Sequence, residues 1–188
     1  SPLSADAGNS SVAVGVERFN VILWNQWLFY EDMERRTGRG SNLAWFSGLG
    51  SQRYPLGHSG DVQETWASLQ FAPYFTATAA NVNMGWWDHD VGGHAQGPDD
   101  SVSKDPELYL RWMQWSVFAP TMRSHMEKGE RSVGRGPRTQ FYWDFDSAFA
   151  QPMRAALRLR SRLVPLIYTL GLRTRLGEVS CHCGHSSA

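Results

Sequence analysis

Met84-Gly85-Trp86-Trp87-Asp88-His89-Asp90-Val91-Gly92-Gly93-His94 decides the fold: an apolar, aromatic run stops at two aspartates and a histidine, and glycines follow. Short apolar runs of this kind read as strands buried on both faces, as in a parallel sheet. Functional side chains of such a sheet gather where its strands end. The same texture recurs on either side. Leu43-Ala44-Trp45-Phe46 is an apolar run bounded by Asn42 and by Gly48 and Gly50, and a polar, glycine-rich loop leads from it to Asp61. A brief strand near Thr121-Met122 delivers Arg123-Ser124-His125.

Helical patterns lie between these runs. From Leu23, an apolar stripe of Trp24, Trp27 and Leu28, with Glu31 and Arg35 spaced for an i,i+4 ion pair, predicts a helix ending near Gly38. The Trp66/Leu69 spacing predicts a second over Thr65 to Phe71. Asp105 is a good N-cap with Pro106 at the first helical position, and that helix should run through Leu108, Trp112 and Trp115 and stop before Pro120. Ser147 is placed to cap a last helix through Ala155, Leu159, Leu163 and Leu166, with Arg154, Arg158 and Arg162 on its wet face and Pro165 as a kink. Helices alternating with strands in this order argue for an α/β chain whose parallel sheet has helical crossovers. Periodicity alone does not separate a barrel from an open, doubly wound sheet.

The domain divisions expected are a disordered or foreign leader over residues 1–20, an ordered unit over 21–170 and an irregular tail over 171–188. A chain of 188 residues with 41% hydrophobic content can bury one core. Eighteen basic residues balance 18 acidic ones, so no global field favours nucleic acid or a membrane surface as partner. No apolar stretch is long enough for a membrane span, and no compartment can be read. Aromatic content is 13%, with nine tryptophans set mostly beside Gly, Asp and His, a mixture suited to cores and to sugar-binding clefts alike. Cys181 and Cys183, the only two cysteines, stand with His182 and His185 in the tail without the second ligand pair of a structural zinc site.

Three polar clusters carry the chemistry: Gln52 to Asp61, Trp86 to His94, and Arg123-Ser124-His125. Carboxyl groups, hydroxyl-binding donors and aromatic faces together are what glycoside hydrolysis requires. A serine nucleophile fails, because Gly57-His58-Ser59-Gly60-Asp61 ends in Asp where the nucleophile elbow needs Gly. A metal-dependent hydrolase using Asp88, Asp90 and His94 is the alternative chemistry, weakened because adjacent strand residues point to opposite faces.

Arg53-Tyr54-Pro55 through Ser59-Gly60-Asp61 with Thr65-Trp66, then Pro73-Tyr74-Phe75-Thr76-Ala77-Thr78, Asn81-Val82, His89 to His94, Asp105 to Leu108, Arg111-Trp112 and Arg123-Ser124-His125 form an ordered series over about Trp24 to Leu170. It resembles glycoside hydrolase family 31, the α-glucosidase and α-xylosidase group. The resemblance implies part of a (β/α)8 TIM barrel, about three βα units of its second half. It implies hydrolysis of terminal α-linked glycosides with retention, an oligosaccharide or glycoside as partner, and no metal or organic cofactor. Asp61 matches the general acid/base. His125 matches a histidine that binds the sugar, Asp90 an aspartate lining the pocket, and His94 a position where many relatives place an aromatic. Arg53 and His58 complete the implied substrate-binding set.

Two departures accompany the match. No residue of the chain matches the family's nucleophilic aspartate, and an arginine that contacts sugar hydroxyls in the family is missing after Phe46-Ser47. The beginning and end of the family pattern are also absent, so the expectation is a piece of a longer sequence, inactive by itself, with a noncatalytic carbohydrate-binding remnant as the other reading.

Overall fold

The computed structural model describes residues 21–45, 51–54, 56–82, 84–94, 105–125 and 141–176. The expected leader, the deletion after Ser47 and the Cys181/His185 tail fall outside them. Helix α1 is Val21–Thr37. Strand β1, Ala44–Trp45, is followed by a 3-10 turn at Ser51–Arg53 and by strand β2, Gly57–His58. Helix α2 is Trp66–Asn81, strand β3 is Trp87–Asp88, and helix α3 is Pro106–Ser116. A 3-10 turn at Tyr142–Asp144 leads into helix α4, Ser147–Arg175.

The three strands form one parallel sheet in the order β1-β2-β3, with Ala44 opposite Gly57 and His58 opposite Asp88. A parallel bridge between Asp90 and Arg123 adds the next position in the same sequential order. Each step moves to the adjacent strand without reversing direction, as in a closing barrel rather than a doubly wound sheet. The polar loop before Asp61 was expected to hold no strand. It contains β2, whose two residues show no apolar run and are defined by pairing alone: Gly57 N donates to Trp86 O at 2.8 Å and Ser59 N to Asp88 O at 3.2 Å.

Local signals account for the helix starts. The Asp105 carboxylate accepts from Glu107 N at 2.9 Å and Leu108 N at 3.2 Å, and Pro106 supplies a preset φ. Thr65 Oγ1 accepts from Ser68 N at 3.1 Å to open α2. That helix was expected to stop at Phe71 but continues through Pro73 to Asn81. An interior proline costs a helix roughly 3 kcal/mol; burial of Ala72, Thr76, Ala79 and Ala80 against the sheet offsets it.

Three finer expectations need correction. Arg35 pairs with Asp32 at 3.8 Å and reaches the Glu31 carbonyl at 3.3 Å, while Arg36 takes the closer contact with Asp32 at 2.9 Å. Asp146, not Ser147, is the N-cap of α4, and its side chain makes no capping hydrogen bond. The helix extends past Pro165 to Arg175. Its buried face carries Met153 and Ala156, whereas Leu159 and Leu166 are exposed. The periodic leucines misled because Arg160 takes a core-facing position, for the reason given below.

Alternation along β3 sorts the sheet's two faces. Trp87 and His89 point toward the helices, where His89 lies 5.1 Å from Trp115 and 6.2 Å from Trp112 between ring centroids. His89 Nε2 accepts from Trp87 Nε1 at 3.0 Å, with Thr76 Oγ1 at 2.7 Å, so this buried histidine is a packing residue with its acceptor satisfied. The main core joins Trp112, Tyr109, Met113, Val117, Met153 and Val91. Asp88 and Asp90 point the other way.

Candidate active site

On that other face the strand ends bring five of the six expected site residues together. Asp61 Oδ1 lies 3.5 Å from His94 Nδ1, and the His94 and His125 rings are 4.8 Å apart at 33°. One ligand atom each from His58, Asp61 and Asp90 falls within 4.8 Å of the other two. Arg53 ends an exposed 3-10 turn, with no hydrogen bond or ion pair to this group among the described residues.

Glycines allow two turns to dock on each other here. Gly60, Gly92 and Gly93 hold φ of 87°, 87° and 83°, a region that side-chain-bearing residues rarely adopt. At Gly93 an added Cβ would stand 2.9 Å from the Glu64 Cα. The close approach lets His94 N donate to Val62 O at 2.9 Å, which fixes the His94 ring beside Asp61.

Behind these residues stands a buried charge cluster. Arg123 Nε lies 3.1 Å from Asp88 Oδ2, and Arg123 Nη2 lies 2.8 Å from both Asp90 Oδ1 and His58 Nε2. The Asp90 side chain is 0% exposed and that of His58 3%, whereas Asp61 is 49% exposed and Arg123 31%. His58 Nε2 is also 3.5 Å from Asp90 Oδ2. One ring nitrogen cannot accept from an arginine and donate to a carboxylate at once, and the shorter contact belongs to an obligate donor. Nε2 takes one of these contacts according to its tautomer, and Nδ1 is buried without a hydrogen-bond partner.

One guanidinium serves two carboxylates, and their proton affinities separate. Burial pushes the Asp88 carboxyl up to about 6, against the opposing pull of Arg123 and His58 and with help from the Asp90 charge. Burial acts upward on Asp90 too, but His58, Arg123 and the more distant His125 hold it below the ordinary carboxylate range.

Arg160 orders the strand that carries Arg123. Its guanidinium donates to the carbonyls of Val117, at 3.0 Å, of Ala119, and of Pro120, at 2.9 Å, closing the end of α3 just before Thr121. Burial lowers its proton affinity and the nearby Asp88 raises it, with the net direction down. Thr121 Oγ1 then donates to Trp87 O at 2.8 Å, and Ser124 Oγ lies 3.0 Å from Tyr109 Oη.

His58, Asp61 and Asp90 have donor types suited to a divalent ion. The metal set expected from sequence, Asp88, Asp90 and His94, is not the one that converges. Arg123 is always protonated and already contacts His58, Asp88 and Asp90, so a dication placed among them would meet a resident positive charge. The arrangement instead offers one reachable carboxyl, flanked by two imidazoles, over a neutralised floor.

Residues 14–170 match the model for the glycosyl hydrolases family 31 TIM-barrel domain. The chain is 41% identical over 90 residues to an uncharacterized family 31 glucosidase of Pseudescherichia vulneris, covering 45% of this chain and 16% of that protein. It is 29% identical over 126 residues to an alpha-xylosidase of Saccharolobus solfataricus, covering 66% of this chain and 16% of that protein. The crystal structure of a GH31 alpha-xylosidase from a soil metagenome, complexed with xylose, superposes with a TM-score of 0.70 at 26% identity, over 85% of this chain and 25% of that one. The chain thus spans about a sixth of the length of these curated relatives.

Proposed function

The chain belongs to glycosyl hydrolase family 31, its residues 14–170 corresponding to part of that family's TIM-barrel domain, and on this premise we propose that Asp61 is the general acid/base for hydrolysis of terminal α-linked glycosides with retention. The observation that carries the reading is the position of Asp61: a half-exposed carboxyl just beyond the carboxyl end of β2, beside His94 and His125. In this role it protonates the departing glycosidic oxygen and then takes a proton from the attacking water. His94 and His125 hold sugar hydroxyls beside it, and Asp90 and His58 support the pocket from beneath. Arg53 belongs to the same proposed set as a residue at the rim.

Retention needs a second carboxylate about 5–5.5 Å from the first. Distance alone nominates Asp90, whose carboxylate falls within 4.8 Å of that of Asp61. Its complete burial and its contact with Arg123 rule it out, because a nucleophile must reach the anomeric carbon. With no nucleophilic carboxylate assigned among the described residues, a polypeptide of these 188 residues alone is proposed to bind sugar without forming a glycosyl-enzyme. On this point the catalytic reading and the carbohydrate-binding remnant coincide. They part at Asp61.

An analogue with nitrogen in place of the glycosidic oxygen distinguishes them. An ionised acid/base makes a charge-assisted hydrogen bond to the protonated nitrogen. Calorimetric titration of the chain should show the nitrogen analogue binding more tightly than the oxygen glycoside, with Asp61→Asn erasing the preference. Equal affinities in the unmodified chain would favour the remnant, and hydrolysis abolished by Asp61→Asn would overturn the inactivity of the isolated chain.

A further inference from the structure

We propose that Arg123, through Nη1, is a sugar-binding donor of this site, recognising a hydroxyl oxygen of a neutral glycoside.

The inference rests on the reading of the cleft as a glycoside site and adds a contact residue to it. A guanidinium has five N–H donors in a fixed planar fork. Nη2 of Arg123 hydrogen-bonds His58 and is ion-paired with Asp90 at 2.8 Å, and Nε is ion-paired with Asp88 at 3.1 Å. Nη1 and its two hydrogens have no partner among the described residues, and the side chain keeps 31% of its surface exposed.

One hydrogen bond and two ion pairs restrain the guanidinium, so the Nη1 donors are oriented before any ligand arrives. Such preorganisation removes the rotamer entropy that a flexible arginine would lose on binding. The location is also right. The atoms that Nη2 touches belong to the two residues whose ligand atoms lie within 4.8 Å of that of Asp61. Arg123 and His125 are two residues apart, which on an extended segment puts both on one face.

Charge selects the ligand class. Arg123 already faces Asp90, and the Asp88 carboxyl is a second acid at its Nε. The cluster carries no surplus positive charge with which to attract an anion. N–H···O contacts on a neutralised base suit a sugar hydroxyl oxygen rather than a uronate carboxylate or a sulfate.

The experiment follows the guanidinium nitrogens of the full chain, labelled with 15N-arginine, as methyl α-D-glucopyranoside or methyl α-D-xylopyranoside is added. Arg123→Lys identifies the Arg123 signals by their loss. The Arg123 Nη signals should move saturably, in step with the His125 ring signals. The lysine variant keeps a cation between the aspartates and should lose at least tenfold in affinity. Methyl α-D-glucuronide should bind no better than the glucoside. Saturation of His125 with Arg123 silent would overturn the proposal and leave the glycoside site standing, and preference for the glucuronide would overturn the neutral class. Absence of any binding would remove the glycoside reading, and this contact with it.

Discussion

Replacing Arg123 by Met keeps most of the side-chain volume and removes the guanidinium that contacts both Asp88 and Asp90, each 3% exposed or less. Three contacts are lost, at 3.1, 2.8 and 2.8 Å. A hydrogen bond such as that to His58 contributes at most roughly 1.5–3 kcal/mol where a charge assists it, and the two ion pairs no more than that each. Their sum is an upper limit, because the stranded carboxylates escape part of the cost by taking up protons. Breaking a buried pair by removing one partner costs about 3–5 kcal/mol, and that is the expected loss at pH 7.5. The pH dependence gives the sharper check. Without Arg123 the Asp88 affinity rises further above the unfolded value and that of Asp90 is freed to rise from below it, so the variant loses stability as pH increases from about 4 through its new folded values, at about 1.4 kcal/mol per pH unit for each extra proton held. The gap between the two proteins must therefore widen from pH 5 to pH 7.5. Urea unfolding followed by tryptophan fluorescence at both pH values measures it. A loss below about 1 kcal/mol at pH 7.5, or a gap of the same size at both pH values, would refute the buried-cluster reasoning.

Two further changes test neighbouring parts of the site. Asp88 titrates near 6 when folded against 3.8 as its ordinary value, so its unfavourable contribution is absent below 3.8, grows between the two and is complete above 6; it amounts to about 3 kcal/mol. Asp90 acts in the opposite sense and in a lower window, its stabilisation being present above 3.8 and lost as pH falls through its depressed value. Between pH 4 and 6 the unmodified chain should thus lose stability as pH rises, and Asp88→Asn should flatten that slope in the same unfolding assay. Gly93→Ala places a side chain at φ 83° and a Cβ 2.9 Å from Glu64 Cα. Backbone strain of this kind costs about 1–3 kcal/mol, and shifting His94 away from Asp61 should also weaken sugar binding in calorimetry.

The comparisons bear out the family and the partial TIM-barrel fold that the ordered motifs indicated, and the reason lies in how local those signals are. Asp105 and Pro106 open α3 through atoms at most three residues away, and the glycines after Asp90 reflect a backbone requirement that any fold would impose at that turn. Apolar runs mark β1 and β3 because strands buried on both faces have no polar side to show. Strand β2 had no such mark, since its partners Trp86 and Asp88 lie about thirty residues away. Helix α2 passes Pro73 because the sheet it covers outweighs its own propensity.

The candidate site divides along the same line. Asp61, His94 and His125 could be named from motif positions, and the structure gathers them at one end of the sheet. The sequence also named Asp90 and His58, but only the tertiary structure shows them buried, because burial depends on what packs over a residue rather than on its neighbours in the chain. Arg123 stood in view beside His125 with no role to assign. Its meaning comes from His58, 65 residues earlier, and from two aspartates on the adjacent strand. A charge cluster is a property of distances across the sheet, and those were set only when β2, β3 and the Arg123 segment came into register.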